Sequence, residues 1–315
     1  MPIHQEQEFA YQKEEDGICI LRCYGVSSRV DIPGSLEGTP VIGIASYAFA
    51  KEMEQEPPHV GGLPCICGED LEELYLPDTI KRLGRYVFYN CIHFRKLSFY
   101  SNISYIGAGA FTGCGQLSSL ACYQKDGKSC LREILQDLKQ YVSVGCYSIE
   151  GTDGKLAYRL AYPGFFEEAV ENTPARIIST QTHGMGIQYR NAFRDTQVML
   201  QEYDSLFETG KYNIEFPVLV DLAVSRLRYP YGLEEDAKAR YSCWLREHME
   251  EAAVLLLGQE DLTDLKWLAE EFAGSREELE RMLHAAASRE DTAALSQLMH
   301  TMHERFPVRK KEFVL

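Results

Sequence analysis

Apolar residues between positions 71 and 122 recur with a constant spacing of 23 residues. The segments LEELYL (71–76), FRKLSF (94–99) and LSSLAC (117–122) align position by position, and each reads as a short strand. The agreement continues downstream, where Ile80, Leu83, Val87, Phe88 and Cys91 match Ile103, Ile106, Ala110, Phe111 and Cys114. Because a unit this short cannot bury its apolar face alone, the spacing predicts units stacked into a solenoid.

The stacked units are expected to form one parallel sheet over a shared interior. Equivalent side chains should lie over one another there, in the sets Leu74/Leu97/Leu120, Phe88/Phe111 and Cys91/Cys114. An earlier, irregular copy starts at Val41, and the insertion Glu52–Glu69 separates it from the next copy. Two upstream strands, at Phe9–Tyr11 and Gly17–Tyr24, are predicted to cap the open end of a stack of about four units.

The segments LEELYLPDTIKRLGRYVFYNC and FRKLSFYSNISYIGAGAFTGC resemble the BspA-like class of bacterial leucine-rich repeats, whose units carry the pattern L..L.LP..I..IG..AF..C. The resemblance extends over residues 9–125. It implies a leucine-rich repeat solenoid that recognises macromolecules on an extended surface, often outside the cell.

The middle of the chain, residues 126–215, has mixed periodicity. The predicted elements are a helix over Leu131–Leu138, a hairpin of Val142–Ile149 and Leu156–Ala161, a strand at Ala175–Thr180, and a glycine-rich loop at Gln181–Gly186.

From residue 216 the apolar spacing is helical, which predicts one helix over Phe216–Leu227 and a longer one over Ala237–Leu256. Residues 259–268 align with 289–298 at an offset of 30, so pairs of antiparallel helices are expected. This looks like a divergent ankyrin-type array without the TPLH-like turn. The predicted fold is therefore α+β. Its parts are a leucine-rich repeat solenoid with a parallel β-sheet (1–125), a mixed α/β connector (126–215) and an α-helical repeat array (216–315).

Composition and charge exclude several classes of function. The chain has 32 Lys and Arg against 47 Asp and Glu, and the net charge of −15 repels phosphate backbones, so no nucleic-acid partner is expected. No apolar run is long enough to cross a bilayer, so membrane insertion is not expected. The polar, acidic N-terminal residues contain no secretory signal, which predicts a cytoplasmic protein with reduced cysteines. The alternative, implied by the resemblance, is a cell-surface or secreted protein.

Strand residues that alternate with the buried leucines must point away from the interior. They predict a protein-binding face, composed of Tyr75, Lys96, Ser98, Tyr100, Ser119 and Tyr123. Exposed tyrosines supply a large contact area with a polar tip and are enriched in interfaces. Tyr100 and Tyr123 fall in one column, and Tyr75 falls in the adjacent column. The competing interpretation is that these tyrosines pad one another or lie beneath another part of the chain.

The glycine-rich loop of the middle segment is an alternative site. Its amides and the nearby arginines could hold an anion or a small molecule, through Arg176, Thr182, His183 and Arg190. No cysteine or carboxylate with a motif spacing accompanies His183, so no catalytic residue is assigned. The competing interpretation is that the glycines permit a tight turn and that the arginines pair with carboxylates.

Metal ligands are available at His59, Cys65, Cys67, Cys91 and His93. A Cys-x-Cys spacing is not usual for zinc, and Cys91 is already the repeat equivalent of Cys114. Buried or solvent-facing thiols in an inserted loop are therefore expected, with no metal and no cofactor.

The sequence favours a non-enzymatic scaffold or recognition module. Its partner would be a protein of unknown identity that binds the strand face or the helical array. Two alternatives stay open at this point. One is an enzyme or a small-molecule or anion sensor with a site around His183, and the other is a cell-surface adhesion protein.

Overall fold

The computed structural model of the chain describes residues 7–53, 55–125, 129–148, 154–172, 177–259 and 261–307. The chain divides into two compact units, Met1–Ile214 and Glu215–Leu315. The first unit is built mainly from β-strands and the second from α-helices. The predicted α+β class, with a repeat solenoid followed by a helical region, is confirmed.

The described strands and helices of the first unit are short. The strands are β1 (Glu8–Lys13), β2 (Ile18–Tyr24), β3 (Arg29–Asp31), β4 (Ser35–Leu36), β5 (Thr39–Ile44), β6 (Glu73–Tyr75), β7 (Arg82–Leu83), β8 (Lys96–Tyr100), β9 (Tyr105–Ile106), β10 (Ser119–Gln124), β11 (Val142–Ser148), β12 (Leu156–Tyr162), β13 (Phe166–Asn172), β14 (Ile177–His183), β15 (Phe193–Arg194) and β16 (Gln197–Val198). The helices are α1 (Leu131–Asp137), α2 (Gly186–Asn191), α3 (Leu200–Ser205) and α4 (Phe207–Gly210), and Gly68–Asp70 form a 3₁₀ turn.

A six-stranded sheet, called the solenoid sheet below, carries the strands of successive repeats in the order β12-β11-β10-β8-β6-β3. Its strands from β3 to β11 are parallel and in register, and β12 is antiparallel. One column of buried aliphatic side chains crosses the whole sheet, formed by Val30, Leu74, Leu97, Leu120, Val144 and Leu160. The predicted stacking of the repeat leucines is therefore confirmed.

The apolar residues downstream of the solenoid-sheet strands also form strands, for example at Leu83 in β7 and at Ile106 in β9. These make a second sheet in the order β1-β2-β5-β7-β9, with β4 paired to β5. The prediction of a single parallel sheet is wrong in this respect, because the coils that contain β5, β7 and β9 each contribute one strand to each of two sheets. The strands β7 and β9 are two residues long, which is too short to show an alternating pattern. The antiparallel pair β1 and β2 lies at one end of this sheet, as predicted for a cap.

The interior between the two sheets repeats the same contacts from coil to coil. The ring centroid of Phe88 lies 5.6 Å from that of Phe49 and 5.3 Å from that of Phe111. The thiol of Cys91 donates to the carbonyl oxygen of Phe49 at 3.3 Å, and that of Cys114 donates to the carbonyl oxygen of Phe88 at 3.1 Å. Each repeat cysteine thus satisfies a main-chain acceptor of the preceding coil, which fixes the stacking of consecutive units.

The solenoid sheet continues past residue 125, because β11 pairs in parallel with β10. The described residues therefore give five parallel strands, where the sequence predicted about four units. The spacing from Leu120 to Val144 is 24 residues rather than 23, and helix α1 lies in the connection between β10 and β11. The last unit departs from the repeat for these reasons. The predicted hairpin is present as the antiparallel pair β11 and β12.

Strands β13 and β14 form a separate two-stranded antiparallel sheet. The prediction of a loop over Gln181–Gly186 is wrong in its first half, because Gln181, Thr182 and His183 belong to β14. Most described side chains of this pair are exposed or half-buried, from Phe166 to Val170 and from Ser179 to His183. The strand predicted to end at Thr180 thus continues to His183. A ribbon that faces solvent on both sides needs no apolar alternation, so the sequence pattern does not reveal this continuation.

The second unit is helical throughout its described length. Its helices are α5 (Phe216–Arg228), α6 (Glu235–Glu247), α7 (Met249–Leu257), α8 (Thr263–Trp267), α9 (Arg276–Ser288) and α10 (Thr292–Arg305), with a π-helical turn at Leu268–Phe272. Helix α7 packs against α9, and α9 packs against α10. Side chains cap the last two helices, because Ser275 accepts from the amide of Glu278 at 3.2 Å and Asp291 accepts from that of Ala294 at 2.9 Å.

The predicted long helix over Ala237–Leu256 is two helices, α6 and α7. The break occurs at His248, whose backbone (φ −112°, ψ 29°) is not helical. The imidazole of His248 stacks on the Trp244 ring at 4.6 Å, and its Nδ1 lies 2.9 Å from the Trp244 carbonyl oxygen. One non-helical residue between two apolar stripes leaves the spacing almost unchanged, so the sequence pattern does not reveal it.

Candidate functional site

The outward side chains of the solenoid sheet form three columns, called the strand face below. The first column holds Arg29, Glu73, Lys96, Ser119 and Ser143, the second holds Asp31, Tyr75, Ser98, Ala121 and Gly145, and the third holds Tyr100, Tyr123 and Tyr147. All the predicted binding residues lie on this one face of the sheet, because successive residues of a strand point to opposite faces and every repeat is in register.

The third column is a row of stacked phenol rings. The ring centroids of Tyr100 and Tyr123 are 5.2 Å apart with planes inclined by 29°, and those of Tyr123 and Tyr147 are 4.9 Å apart with planes inclined by 25°. The hydroxyl of Tyr75 lies 3.3 Å from that of Tyr100, so the row connects to the second column. We call Tyr75, Tyr100, Tyr123 and Tyr147 the tyrosine row.

Small residues in the second column allow the rings to lie close to the sheet. A side-chain carbon on Gly145 would come within 3.1 Å of Cε2 of Tyr147, which shows that this ring leans over the glycine. The contact between the hydroxyls of Tyr100 and Tyr75 shows that the Tyr100 ring also leans towards the second column. Ala121, the second-column residue on the strand of Tyr123, is also small. The four tyrosines are half-buried as a result.

The phenols of Tyr75 and Tyr123 stay neutral at physiological pH, because the pKa of each is raised. Burial is the main cause that raises the pKa of Tyr75, and the hydrogen bond with Tyr100 adds to it. Burial also raises the pKa of Tyr123. A neutral hydroxyl both donates and accepts hydrogen bonds. Tyr75 and Tyr123 therefore offer aromatic edges and polar tips without charge.

Charged groups border the tyrosine row rather than interrupt it. Arg29 pairs with Asp31 at 3.2 Å, and Lys125 pairs with Asp78 at 2.6 Å. Lys96 is exposed and lies opposite Glu73 in the register of β6 and β8. An apolar centre with a charged rim is the usual arrangement of a protein interface.

Tyr147 belongs to the row but was absent from the predicted residues. It follows Tyr123 by 24 residues, one more than the repeat spacing, and it lies outside the 9–125 segment that carries the resemblance. A tyrosine at about the repeat distance beyond the last recognised unit was the signal that could have identified it.

Three residues of the alternative anion site, Thr182, His183 and Arg190, lie in the described part of the chain. His183 stacks on Phe166, with ring centroids 4.8 Å apart, and its Nε2 lies 3.3 Å from a carboxylate oxygen of Glu168. Thr182 is exposed on β14, and Arg176 lies outside the described residues. A carboxylate beside His183 disfavours binding of an anion there.

Arg190 is buried and bonded to the main chain. Its guanidinium donates to the carbonyl oxygens of Leu135, Leu138, Pro163, Gly186 and Gln140, at 2.5 to 3.1 Å. The side chain is 1% exposed, and burial lowers its pKa to about 10, so it is charged at neutral pH. Its donors are used in holding α1, α2 and the end of β12 together.

Two of the residues considered as possible metal ligands have structural contacts. Cys91 is buried in the interior of the repeats, and Nδ1 of His93 lies 2.9 Å from the carbonyl oxygen of Glu69. In the part of the chain that the structure describes, no three His, Cys, Asp or Glu side chains are grouped so that they could hold a metal ion. None of the helices in the described ranges has both the length and the apolar character needed to cross a bilayer.

Three solved structures are similar to this chain. A leucine-rich cell surface protein from Faecalibacterium prausnitzii A2-165 has 21% identity over 36% of this chain and 28% of its own, with a TM-score of 0.27. The leucine-rich repeat protein of T. pallidum has 19% identity over 45% of this chain and 80% of its own, with a TM-score of 0.22. A leucine-rich repeat protein from Bacteroides ovatus ATCC 8483 has 14% identity over 39% of this chain and 49% of its own, with a TM-score of 0.19. This chain thus spans less than a third of the Faecalibacterium protein.

No curated protein matches the sequence. The ankyrin-like resemblance of the C-terminal helices is not confirmed. Residues 65–139 match the family described as BspA type Leucine rich repeat region, in six copies, which confirms the leucine-rich repeat prediction for that part of the chain.

Proposed function

We propose that this chain is a non-catalytic recognition module that binds a protein partner through the strand face. The observation that carries the proposal is the tyrosine row, four phenols already ordered by stacking and by a hydroxyl contact. Tyrosine is among the residues that contribute most to binding energy in interfaces. Rings that are held before binding lose little conformational entropy when a partner docks.

The architecture supports the same function. Leucine-rich repeat domains are generally protein-interaction or surface-recognition modules, and solenoids present extended surfaces for partners. The strand face spans consecutive coils of the solenoid, so one partner segment could contact several repeats at once. The helical second unit is a second candidate surface.

Replacement of three of the four tyrosines of the row tests the proposal. We expect the variant with Tyr75→Ala, Tyr100→Ala and Tyr123→Ala to retain roughly a tenth or less of the partner that the wild-type chain captures from the source cells. Quantitative mass spectrometry of the captured proteins measures this, and circular dichroism confirms that the variant is folded. A Tyr→Phe version of the same variant separates the contribution of the rings from that of the hydroxyls.

A matched variant removes three exposed tyrosines of the first unit that lie outside the strand face, Tyr89, Tyr105 and Tyr212. It should capture the partner as well as the wild-type chain does. Equal capture by the tyrosine-row variant and the wild type would contradict a role for this face.

The cellular location stays a prediction. We expect the native protein in the cytoplasmic fraction of the source cells. Its recovery in the envelope or the medium would favour the cell-surface adhesion alternative, in which the same strand face would bind a protein outside the cell.

A further inference from the structure

Two cysteines of the insertion Glu52–Glu69 lie side by side at the end of strand β2. Cys65 forms an antiparallel bridge with Tyr24, and the amide of Ile66 donates to the carbonyl oxygen of Cys23 at 2.9 Å. Ile66 is buried at 2% exposure, and Cys67 has an extended backbone (φ −153°, ψ 158°). Because alternate residues of an extended chain share one side, Cys65 and Cys67 point away from the core together, and both are half-buried.

The two thiols are close enough to react with each other. Their side chains are hydrogen-bonded. Two residues of extended chain span at most about 7 Å between Cα atoms, and disulfides usually join Cα atoms up to about 6.8 Å apart. A small turn at Ile66 is therefore sufficient for a bond between the sulfur atoms of Cys65 and Cys67.

A fixed positive charge lies beside this pair. The guanidinium of Arg22 is 1% exposed, and it donates to the carbonyl oxygens of Tyr47 and Ala48 at 3.3 and 3.2 Å. Its Nε also donates to a carboxylate oxygen of Glu56 at 3.1 Å. Main-chain carbonyls hold the guanidinium in place, while Glu56 neutralises part of its charge.

The surroundings favour the thiolate of Cys67. The hydrogen bond from Cys65 is the largest cause that lowers the pKa of Cys67, to about 7, and Arg22 lowers it further. Partial burial, Asp70 and Glu56 oppose this effect. The same hydrogen bond raises the pKa of Cys65, which keeps its proton until the partner thiol has reacted.

Other cysteines of the chain have the opposite character. Burial contributes to a raised pKa in six buried thiols, those of Cys19, Cys23, Cys91, Cys114, Cys122 and Cys130. A thiol that stays protonated is a poor nucleophile. Cys67 combines solvent access, a lowered pKa and an adjacent second thiol, which is the arrangement of a reactive cysteine with a resolving partner.

We propose that Cys65 and Cys67 form a redox-active dithiol that reduces hydroperoxides and closes into a disulfide. The Cys67 thiolate attacks the hydroperoxide, a sulfur–oxygen bond forms and the oxygen–oxygen bond breaks. The leaving oxygen takes a proton and departs as an alcohol, or as water when the oxidant is hydrogen peroxide. The Cys65 sulfur then attacks the sulfenic acid, a disulfide forms, and water leaves with the Cys65 proton. Two thiols lose two electrons in total, and one hydroperoxide gains them.

The pH dependence of alkylation tests the nucleophile. The full-length reduced protein is treated with iodoacetamide at several pH values, and the labelling of each cysteine is measured by mass spectrometry after digestion. We expect a midpoint for Cys67 near pH 7, against about pH 8.5 for the same residue in the urea-unfolded chain. Equal midpoints in the folded and unfolded chain would overturn the assignment of Cys67.

Oxidation with hydrogen peroxide tests the pair. In the wild-type chain, the peptide that contains both cysteines should lose the mass of two hydrogens, and dithiothreitol should restore it. Cys65→Ser should leave a sulfenic acid at Cys67 that dimedone traps, whereas Cys67→Ser should leave Cys65 unmodified. The control Cys243→Ser removes an exposed thiol elsewhere and should change nothing. Oxidation that yields no disulfide within this peptide, or that proceeds unchanged in Cys67→Ser, would overturn the proposal.

Discussion

Gly107→Ala should lower the free energy of unfolding of the first unit by about 3 kcal/mol, the upper part of the usual cost of overpacking. A side-chain carbon at Gly107 would lie 2.4 Å from the amide nitrogen of Arg85 and 2.5 Å from the carbonyl carbon of Gly84. Both atoms belong to the main chain of the preceding coil, so the clash cannot be relieved by a rotamer change. Thermal unfolding should show a decrease in Tm of about 6–12 °C.

The matched control for this prediction is Gly115→Ala. No heavy atom beyond the chain neighbours lies within 4 Å of a side-chain carbon at Gly115. Its substitution should change the free energy of unfolding by no more than about 0.5 kcal/mol. If both variants were equally stable, consecutive coils would not approach as closely as the structure shows.

Arg190→Met should also destabilise the first unit by about 3 kcal/mol. The substitution leaves five main-chain carbonyl groups without their guanidinium donor and fills the site with an apolar side chain. The cost of burying the guanidinium, seen in its lowered pKa, offsets part of this loss. Urea unfolding followed by circular dichroism measures the effect.

Arg194→Met is the control for Arg190. Arg194 is exposed, and its contact with Glu202 is long, at 3.9 Å. Exposed ion pairs contribute at most about 1 kcal/mol, so this variant should be nearly as stable as the wild type. Similar stability of the Arg190 and Arg194 variants would show that the buried hydrogen bonds do not hold α1, α2 and the end of β12 together.

The repeats could be predicted because their spacing is strict. Leu74, Leu97 and Leu120 occupy the same column of one sheet, as the 23-residue offset requires. The second sheet was not predicted, because its repeat strands β7 and β9 are two residues long and pair through the main chain. Main-chain hydrogen bonds do not require particular side chains, so the amino-acid sequence of such a short strand does not indicate that it pairs.

Elements outside the repeat depend on contacts that the sequence does not display. Arg190 resembles a possible anion ligand in the sequence, yet its partners are carbonyl groups up to 55 residues away. His183 was predicted in a loop, but it ends a solvent-facing strand beside Glu168. In both cases a long-range contact decides the role of the residue.

The strand face was easier to predict than the chemistry of the insertion. Alternation along a strand determines which of its residues face outward, so Tyr75, Tyr100 and Tyr123 followed from the repeat. The pKa of Cys67 is lowered mainly by the hydrogen bond from Cys65 and further by Arg22. Arg22 is more than 40 residues away in sequence and reaches the thiols only through the fold.

A disulfide cross-link tests most directly whether successive repeats stack in register and present the tyrosine row to solvent. In a background with Cys65→Ser, Cys67→Ser and Cys243→Ser, the residues to join are Lys96 and Ser119, which are exposed neighbours on β8 and β10. Adjacent strands lie about 4.8 Å apart, so Lys96→Cys with Ser119→Cys should cross-link under mild oxidation. The diagonal pair Lys96→Cys with Ala121→Cys, about 7–8 Å apart, should not. Cross-linking of the diagonal pair in place of the in-register pair would contradict the account.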